Sequence, residues 1–250
     1  MRLLVILFFS LTFSKSFASG TVPPLYESVL LVGDDHVAGA FGNALDRYLR
    51  TIAVDVNTIA QCGSTPDNWI GKSAEFTPTR CGYWQRNEAG QEKRSKEFKP
   101  RSFQEELAKA DPDLTVIVLG TFLLKDSKEM GEQKAAIEKM VEDVRNVASR
   151  CIWVGPPQLK KPPYSDNLQQ GVRMFESIFK KLRCDYVDST RLSTYKGKNG
   201  IDYQVAAGTN WGAAVSREIE KLNRPTAREV WESDSTLPVE TGGPAGGEPR

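Results

Sequence analysis

Apolar positions along the chain fall into two alternating patterns. Short unbroken runs, Val29-Leu-Leu-Val32 and Leu114-Thr-Val-Ile-Val-Leu119, have the length and composition of parallel strands covered on both faces. Between them lie stretches with helical spacing, roughly Ala38 to Thr51, Phe103 to Ala110, Gly131 to Ser149 and Asp166 to Leu182. Ala53-Val-Asp-Val-Asn57, Cys151-Ile-Trp-Val-Gly155 and Cys184-Asp-Tyr-Val-Asp188 supply three further strands. Strand and helix alternate throughout, and each strand-to-strand connection is long enough for a right-handed crossover. The expected fold is therefore α/β, a flavodoxin-like three-layer sandwich around a five-stranded parallel sheet in order 2-1-3-4-5.

In such a sheet, ligands bind beyond the carboxyl ends of the strands. The first strand ends in Gly33-Asp-Asp-His36, which puts Asp34, Asp35 and His36 at that edge. Gln61-Cys-Gly-Ser-Thr-Pro66 reaches the same edge after the second strand, and Gly120-Thr-Phe-Leu-Leu124 after the third. The structural reading of Asp34 and His36 is that they cap the helix starting near Val37.

The segment 64–102 shows no sustained periodicity. It is read as a long loop, with Trp69, Phe76, Tyr83, Trp84 and Phe98 set among charges. Loops of that length in compact domains are functional or disordered, and aromatic residues pinned by Cys62 and Cys81 suggest an ordered lid. Its rings either stack on a sugar or plug the loop. Lys93-Arg-Ser-Lys96 is interleaved with Glu88, Glu92 and Glu97 and reads as a solvated face, with an anion site as the alternative.

Composition narrows the partners. With 250 residues, 40% hydrophobic and 26% charged, the chain can bury one full core, and a formal net charge of +1 gives no field for nucleic acid or an anionic membrane. Residues 1–18 carry Arg2, an apolar stretch from Leu3 to Phe13, and the small-x-small end Ser16-Phe17-Ala18. That is the pattern of a secretory leader, too short in its apolar run to span a bilayer. The reading is a domain over 19–222 followed by a Pro, Gly, Glu and Ser-rich tail over 223–250, exported to the periplasm or medium and acting as a monomer on a small ligand, glycan or protein partner. In an exported chain the four cysteines favour disulfides over metal or redox chemistry. Cys151 and Cys184 each begin a strand and would be level if those strands are neighbours, which leaves Cys62 to Cys81. No zinc spacing is present, and no metal or other cofactor is called for.

The motif order resembles that of the SGNH or GDSL-type hydrolases. Gly33-Asp34-Asp35-His36 resembles the first motif of that family, Gly63 the second, Gly120-Thr-Phe122 the third, and Asn199-Gly-Ile-Asp202, ahead of Tyr203 to Trp211, the last. The resemblance spans about Val29 to Leu222. It implies an ester-hydrolase fold in which Asp35 stands at the Ser nucleophile, Asp202 at the His base, Asn199 at its orienting Asp, and Phe122 at the oxyanion Asn. Gly63 alone keeps the family residue. A carboxylate cannot be activated as Ser is, Asp202 cannot shuttle a proton near neutral pH as imidazole does, and one lost oxyanion donor costs about 3 kcal/mol.

The expectation is therefore a pseudoenzyme, with Asp34, Asp35, His36, Gly63, Phe122, Trp84 and Asp202 around a ligand pocket and no catalysis by the serine mechanism. Cell-wall glycan or an acylated sugar is the ligand suggested by the exported setting. The alternative keeps hydrolysis, with Asp35 and Asp202 as a carboxylate pair, or as ligands with Asp34 and His36 for a cation.

Overall fold

Val29, Leu30, Leu31 and Val32 are all fully buried, and their alternation decides how the molecule is layered. The structure, a computed structural model describing residues 23–71, 76–97 and 101–224, places them in the middle of β1 (Tyr26–Gly33). After it come α1 (Ala40–Ile52), β2 (Ala53–Gln61), α2 (Pro66–Trp69), β3 (Tyr83–Arg86), β4 (Glu92–Ser95) and α3 (Phe103–Ala110). Then follow β5 (Leu114–Val118), α4 (Ser127–Glu132), α5 (Lys134–Asn146), β6 (Arg150–Val154), α6 (Tyr164–Phe179), β7 (Asp185–Val187) and α7 (Val205–Asn223). The expected leader over 1–18 and nearly all of the expected tail over 223–250 lie outside the described residues.

Strand β1 has parallel neighbours on both sides, β2 with Val29 opposite Val56 and β5 with Leu31 opposite Val116. Because side chains alternate along a strand, Leu30 and Val32 enter one apolar cluster while Val29 and Leu31 enter the other. The first cluster is closed by Phe103 and Leu107 of α3, Ile137, Met140 and Val144 of α5, and Val172 and Phe175 of α6. The second is closed by Phe41, Leu45 and Leu49 of α1 and by Trp211, Val215 and Ile219 of α7. Those two sets recur at three- and four-residue intervals, the helical spacing that builds one apolar stripe. Helix α7 packs against α1 through Gly212, where a Cβ would lie 2.7 Å from the Phe41 carbonyl oxygen.

The sheet has seven strands in order β4-β3-β2-β1-β5-β6-β7. Its five parallel members follow the expected 2-1-3-4-5 order, but the sheet is mixed, because β3 pairs antiparallel with β2 and β4 antiparallel with β3. The expectation of a purely parallel five-stranded sheet and of a long loop over 64–102 is corrected by this hairpin and by α2. The hairpin escapes a periodicity reading because Tyr83 and Trp84 are adjacent rather than alternating, and Glu92-Lys-Arg-Ser95 is wholly polar. An edge strand needs no apolar face, and its charges discourage pairing with other chains. The rings of this segment fill space rather than form a lid: Trp69 and Trp84 are fully buried, Tyr83 nearly so, and Phe76 meets Tyr83 edge-on. Phe98 lies outside the described residues. The helix expected over 131–149 is also two, α4 and α5, and Ala148, at φ 56°, turns the chain into β6.

The hairpin is fastened by one buried carboxylate. Asp46 of α1, fully buried, accepts from Arg50 Nε at 3.1 Å, from Arg86 Nη1 of β3 at 2.6 Å and from Thr58 Oγ1 of β2 at 2.7 Å. Burial works to raise its pKa, yet the hydrogen bonds from Arg50, Thr58 and Arg86 outweigh it and hold the group below the usual carboxylate value. Both expected disulfides are present, Cys62 to Cys81 and Cys151 to Cys184, with Cα separations of 5.8 and 4.6 Å.

Asp46→Ala should cost about 3 kcal/mol in denaturant unfolding, because it removes the buried acceptor shared by Arg50, Arg86 and Thr58 and leaves Arg86, among the described residues, with Glu92 as its carboxylate partner. The double replacement Cys62→Ala, Cys81→Ala should cost a similar amount, about 3 kcal/mol in the chain-entropy model, and a loss under 1 kcal/mol would show that the 62–81 loop is already held without the link.

Candidate functional site

Beyond Gly33 the chain turns through Asp34, Asp35 and His36 before α1 begins. The Asp34 Oδ1 accepts the His36 N–H at 3.0 Å, and its carbonyl accepts the Val37 N–H at 3.1 Å. Asp34 therefore stabilises this turn rather than capping α1, whose N-cap is Gly39, and the helix starts at Ala40 rather than near Val37. Burial first, then the charge of Asp35, hold the Asp34 carboxyl well above the usual carboxylate range. Hydrogen bonds from the His36 N–H and the Thr121 hydroxyl pull the other way.

Asp35 reaches across to the end of β2. Its Oδ2 accepts the Gly63 N–H in a short hydrogen bond, and its Oδ1 accepts the Thr79 hydroxyl at 2.8 Å. Cys81 Sγ lies 3.3 Å from the same Oδ1, a contact without a shared proton, since the sulfur is in the disulfide to Cys62. Gly63 has φ +84°, and a Cβ there would come within 2.2 Å of Thr79 Cγ2, so only glycine allows this approach. Burial raises the Asp35 pKa, the hydrogen bonds from Thr79 and Gly63 lower it, and the charge of Asp202 adds to the rise, which is the net direction.

Asp35, His36, Arg80, Arg94, Asp202 and Tyr203 surround a cavity of about 410 Å³ at this edge. Asp202 is exposed, and its Oδ2 accepts from Asn199 Nδ2 at 2.5 Å. The Asn199 side-chain oxygen in turn accepts the N–H groups of Ile201 and Asp202 at 3.0 and 2.8 Å. Asn199 and Asp202 thus form a local turn ahead of α7. His36 is 6% exposed, edge-on to Trp211 and Tyr203 at 5.1 and 6.0 Å, and its Nε2 has no hydrogen-bond partner. Burial lowers its pKa to about 4 against the attraction of Asp202, so the ring is neutral at physiological pH.

The remaining expected residues stand elsewhere. Trp84 is fully buried, its indole N–H donating to Glu92 Oε2 at 3.2 Å, and it does not line the cavity. Phe122 is half-buried against the core, edge-on to Tyr164 at 6.2 Å, and does not line it either. Asp34 is buried within the turn and Gly63 is covered by Asp35, and neither lines the cavity. Sequence reasoning missed Thr79, Arg80, Arg94 and Tyr203. The first two had one available signal, their place beside Cys81 in the expected pairing with Cys62. Arg94 belongs to the basic cluster read as a solvated face, and its place at the cavity depends on the hairpin.

Asp35, Cys62 and Cys81 offer atoms within 4.8 Å of one another, but the two sulfurs are joined and have no thiolate to give a metal. A larger hollow of about 920 Å³ lies at the opposite edge, beside Cys151 and Cys184. Its Arg145, Lys180 and Arg183 sit at the carboxyl ends of α5 and α6 or just beyond, where cations offset the helix dipole.

No protein-family model matches the sequence, and no curated relative does. Solved structures do. The inhibitor-bound aryl esterase of M. smegmatis is similar at a TM-score of 0.57 and 17% identity, over 78% of this chain and 99% of that one. A carbohydrate acetylesterase family member from Sinorhizobium meliloti is similar at 0.56 and 18%, over 78% and 98%. A GDSL-like lipase from Bacteroides thetaiotaomicron is similar at 0.53 and 14%, over 78% and 88%. This chain has the SGNH-hydrolase fold. Within the SGNH fold, Asp35 follows the first strand and Gly63 the second, so the order of the motifs along the chain becomes one edge of one sheet.

The neutral state of His36 gives a pH test. Below 6.5 the unfolded chain takes up a proton that the folded ring refuses until about pH 4, so His36 removes stability as pH falls through that window. Asp34 and Asp35, with raised values, act with the opposite sign, which makes a single-site comparison necessary. The unfolding free energy of wild type minus that of His36→Gln should rise by about 3 kcal/mol between pH 4 and 6.5, and a flat difference would show the imidazole to be solvated.

Proposed function

We propose that this chain is an exported SGNH-fold binding protein that no longer turns over esters by the serine mechanism. The observation that carries this reading is the hydrogen bond from Gly63 N–H to Asp35. In the family resembled, that N–H belongs to the oxyanion hole, and here a carboxylate of the chain itself occupies it. An ester entering this place would have to displace Asp35 and develop negative charge beside it, the reverse of what an oxyanion hole supplies. Asp202, turned to Asn199, offers no imidazole for proton transfer, and Phe122 has no donor to give.

Two disulfides among the described residues fit folding in an oxidising compartment, and they agree with the leader pattern of residues 1–18. No helix among the described residues is long and apolar enough to cross a membrane. The protein is thus taken to act in the periplasm or the medium, as a monomer, with the Asp35 cavity as its binding site for a small polar ligand or glycan.

A second reading rests on a different observation. Asp35 and Asp202 border one cavity and Asp35 has a raised pKa, the arrangement of a carboxylic acid set beside a carboxylate in hydrolysis of glycosidic bonds. A panel of acetyl, longer acyl and glycosidic substrates on wild type and Asp35→Asn separates the two. Binding without turnover in either protein is expected, whereas turnover by wild type that disappears in Asp35→Asn would establish the hydrolase. Because the charged form of Asp35 is disfavoured, Asp35→Asn should also leave the fold as stable as wild type at pH 7 or more stable by up to about 1 kcal/mol in thermal unfolding.

A further inference from the structure

The Asp35 cavity carries more charge than a neutral ligand would use. Four ionic side chains reach it from four segments: Asp35 after β1, Arg80 beside Cys81, Arg94 of β4 and Asp202 ahead of α7. Among the described residues neither arginine has a carboxylate within salt-bridge distance. Arg94 gives one Nη2 hydrogen bond to the Ala38 carbonyl at 2.8 Å, which leaves most of its fork of donors unused. The amino end of α1 borders the same space with Gly39, Ala40 and Phe41. That helix has no side-chain cap and no acidic residue in its first turn. His36, more than nine-tenths buried and lining this cavity, has a ring nitrogen with no partner.

These groups make opposite demands. A ligand of hydroxyls alone would cover Arg80 and Arg94 without matching their charge, and a compact inorganic anion would meet Asp35 and Asp202. A ligand that joins a carboxylate to several hydroxyls answers both, since guanidinium groups take carboxylates in paired hydrogen bonds and carboxylates accept from hydroxyls. Asp35, held toward its neutral form and already bonded to Gly63 and Thr79, suits a hydroxyl better than an ammonium. About 410 Å³ is within the range of small-molecule sites and suits one or two sugar rings.

We propose that the cavity binds a sugar acid, with its carboxylate against Arg80, Arg94 and the amino end of α1 and its hydroxyls on Asp35 and Asp202. The proposal rests on the reading that this cavity binds without turnover, and it narrows that reading to an anionic class of carbohydrate.

The test is calorimetric titration of the mature chain with glucuronate and with neutral methyl glucoside, at low salt and at ~0.5 M salt, in wild type and in the double variant Arg80→Gln, Arg94→Gln. Both arginines are exposed, and an unchanged melting temperature confirms that the variant folds. Glucuronate is expected to bind wild type at least about tenfold more tightly than methyl glucoside, with the preference reduced by salt and lost in the double variant. Equal affinities in wild type, no saturable binding of glucuronate, or glucuronate affinity unchanged in the double variant would overturn it. In a parallel titration with glycine, tighter binding than glucuronate would also overturn it, because the charges would then belong to a zwitterion. Saturable binding of a neutral acylated sugar with no preference for the acid would overturn the proposal and leave the binding-protein reading standing. Ester turnover would remove that reading, and the same titration would still report whether the acid is preferred.

Discussion

The molecule depends on the double pairing of β1. With β2 on one side and β5 on the other, its backbone groups are satisfied laterally, and its side chains have no direction left except into the two helical layers. Four fully buried aliphatic residues in a row meet that demand, and one polar residue among them would face a core on either side. Because both neighbours run parallel to β1, all three strands end on the same edge. The turn after Gly33, Gly63 after β2 and Thr121 after β5 are brought together by that fact before any side chain at the site makes a contact.

At that edge the chemistry is set by one carboxylate held between strong donors and weak solvation. Asp35 is bound by a backbone N–H and a hydroxyl, which favour its charge, while burial disfavours it more. Asp202 across the cavity adds like charge to Asp35, and both raise Asp34 in turn. His36, the chain's one histidine, is kept neutral by the same burial and so cannot relieve them. In an active serine esterase of this fold, polarity at this edge serves a charge that appears during reaction. Here a carboxyl group of the chain itself accepts the Gly63 N–H.

The wall of the cavity is built from a segment whose order comes from elsewhere. Thr79 and Cys81 are held beside Asp35 by the Cys62–Cys81 link and by the Thr79 N–H to Cys62 carbonyl hydrogen bond of 2.8 Å. Arg94 arrives through β4, whose sheet neighbour among the described residues is β3. Strand β3 in turn is tied to α1 through Arg86 and the buried Asp46. A charge network on one side of the sheet thereby determines which cations stand at the cavity.

Periodicity and composition determined the α/β plan and pointed to the two disulfides and to Asp35 at a strand end, because each follows from short-range pattern, whereas Asp202 was set beside Asp35 only by the resemblance in motif order. The Asp34 turn, the burial that neutralises His36 and the hairpin were decided only in the tertiary structure. Burial of Asp34 and His36 depends on Trp211, Tyr203 and Thr121, far away in the chain, and no local pattern encodes those distances. Tyr83 to Arg86 and Glu92 to Ser95 become strands because β2 presents an open edge and the buried Asp46 accepts Arg86, so neither needs the alternating apolar face by which a strand is read from sequence. The same long-range pairing withdraws Trp84 into the core and sets Arg80 and Arg94 at the cavity, which is why the rings of this segment were read as candidates while Arg80 was passed over and the cluster holding Arg94 was read first as a solvated face.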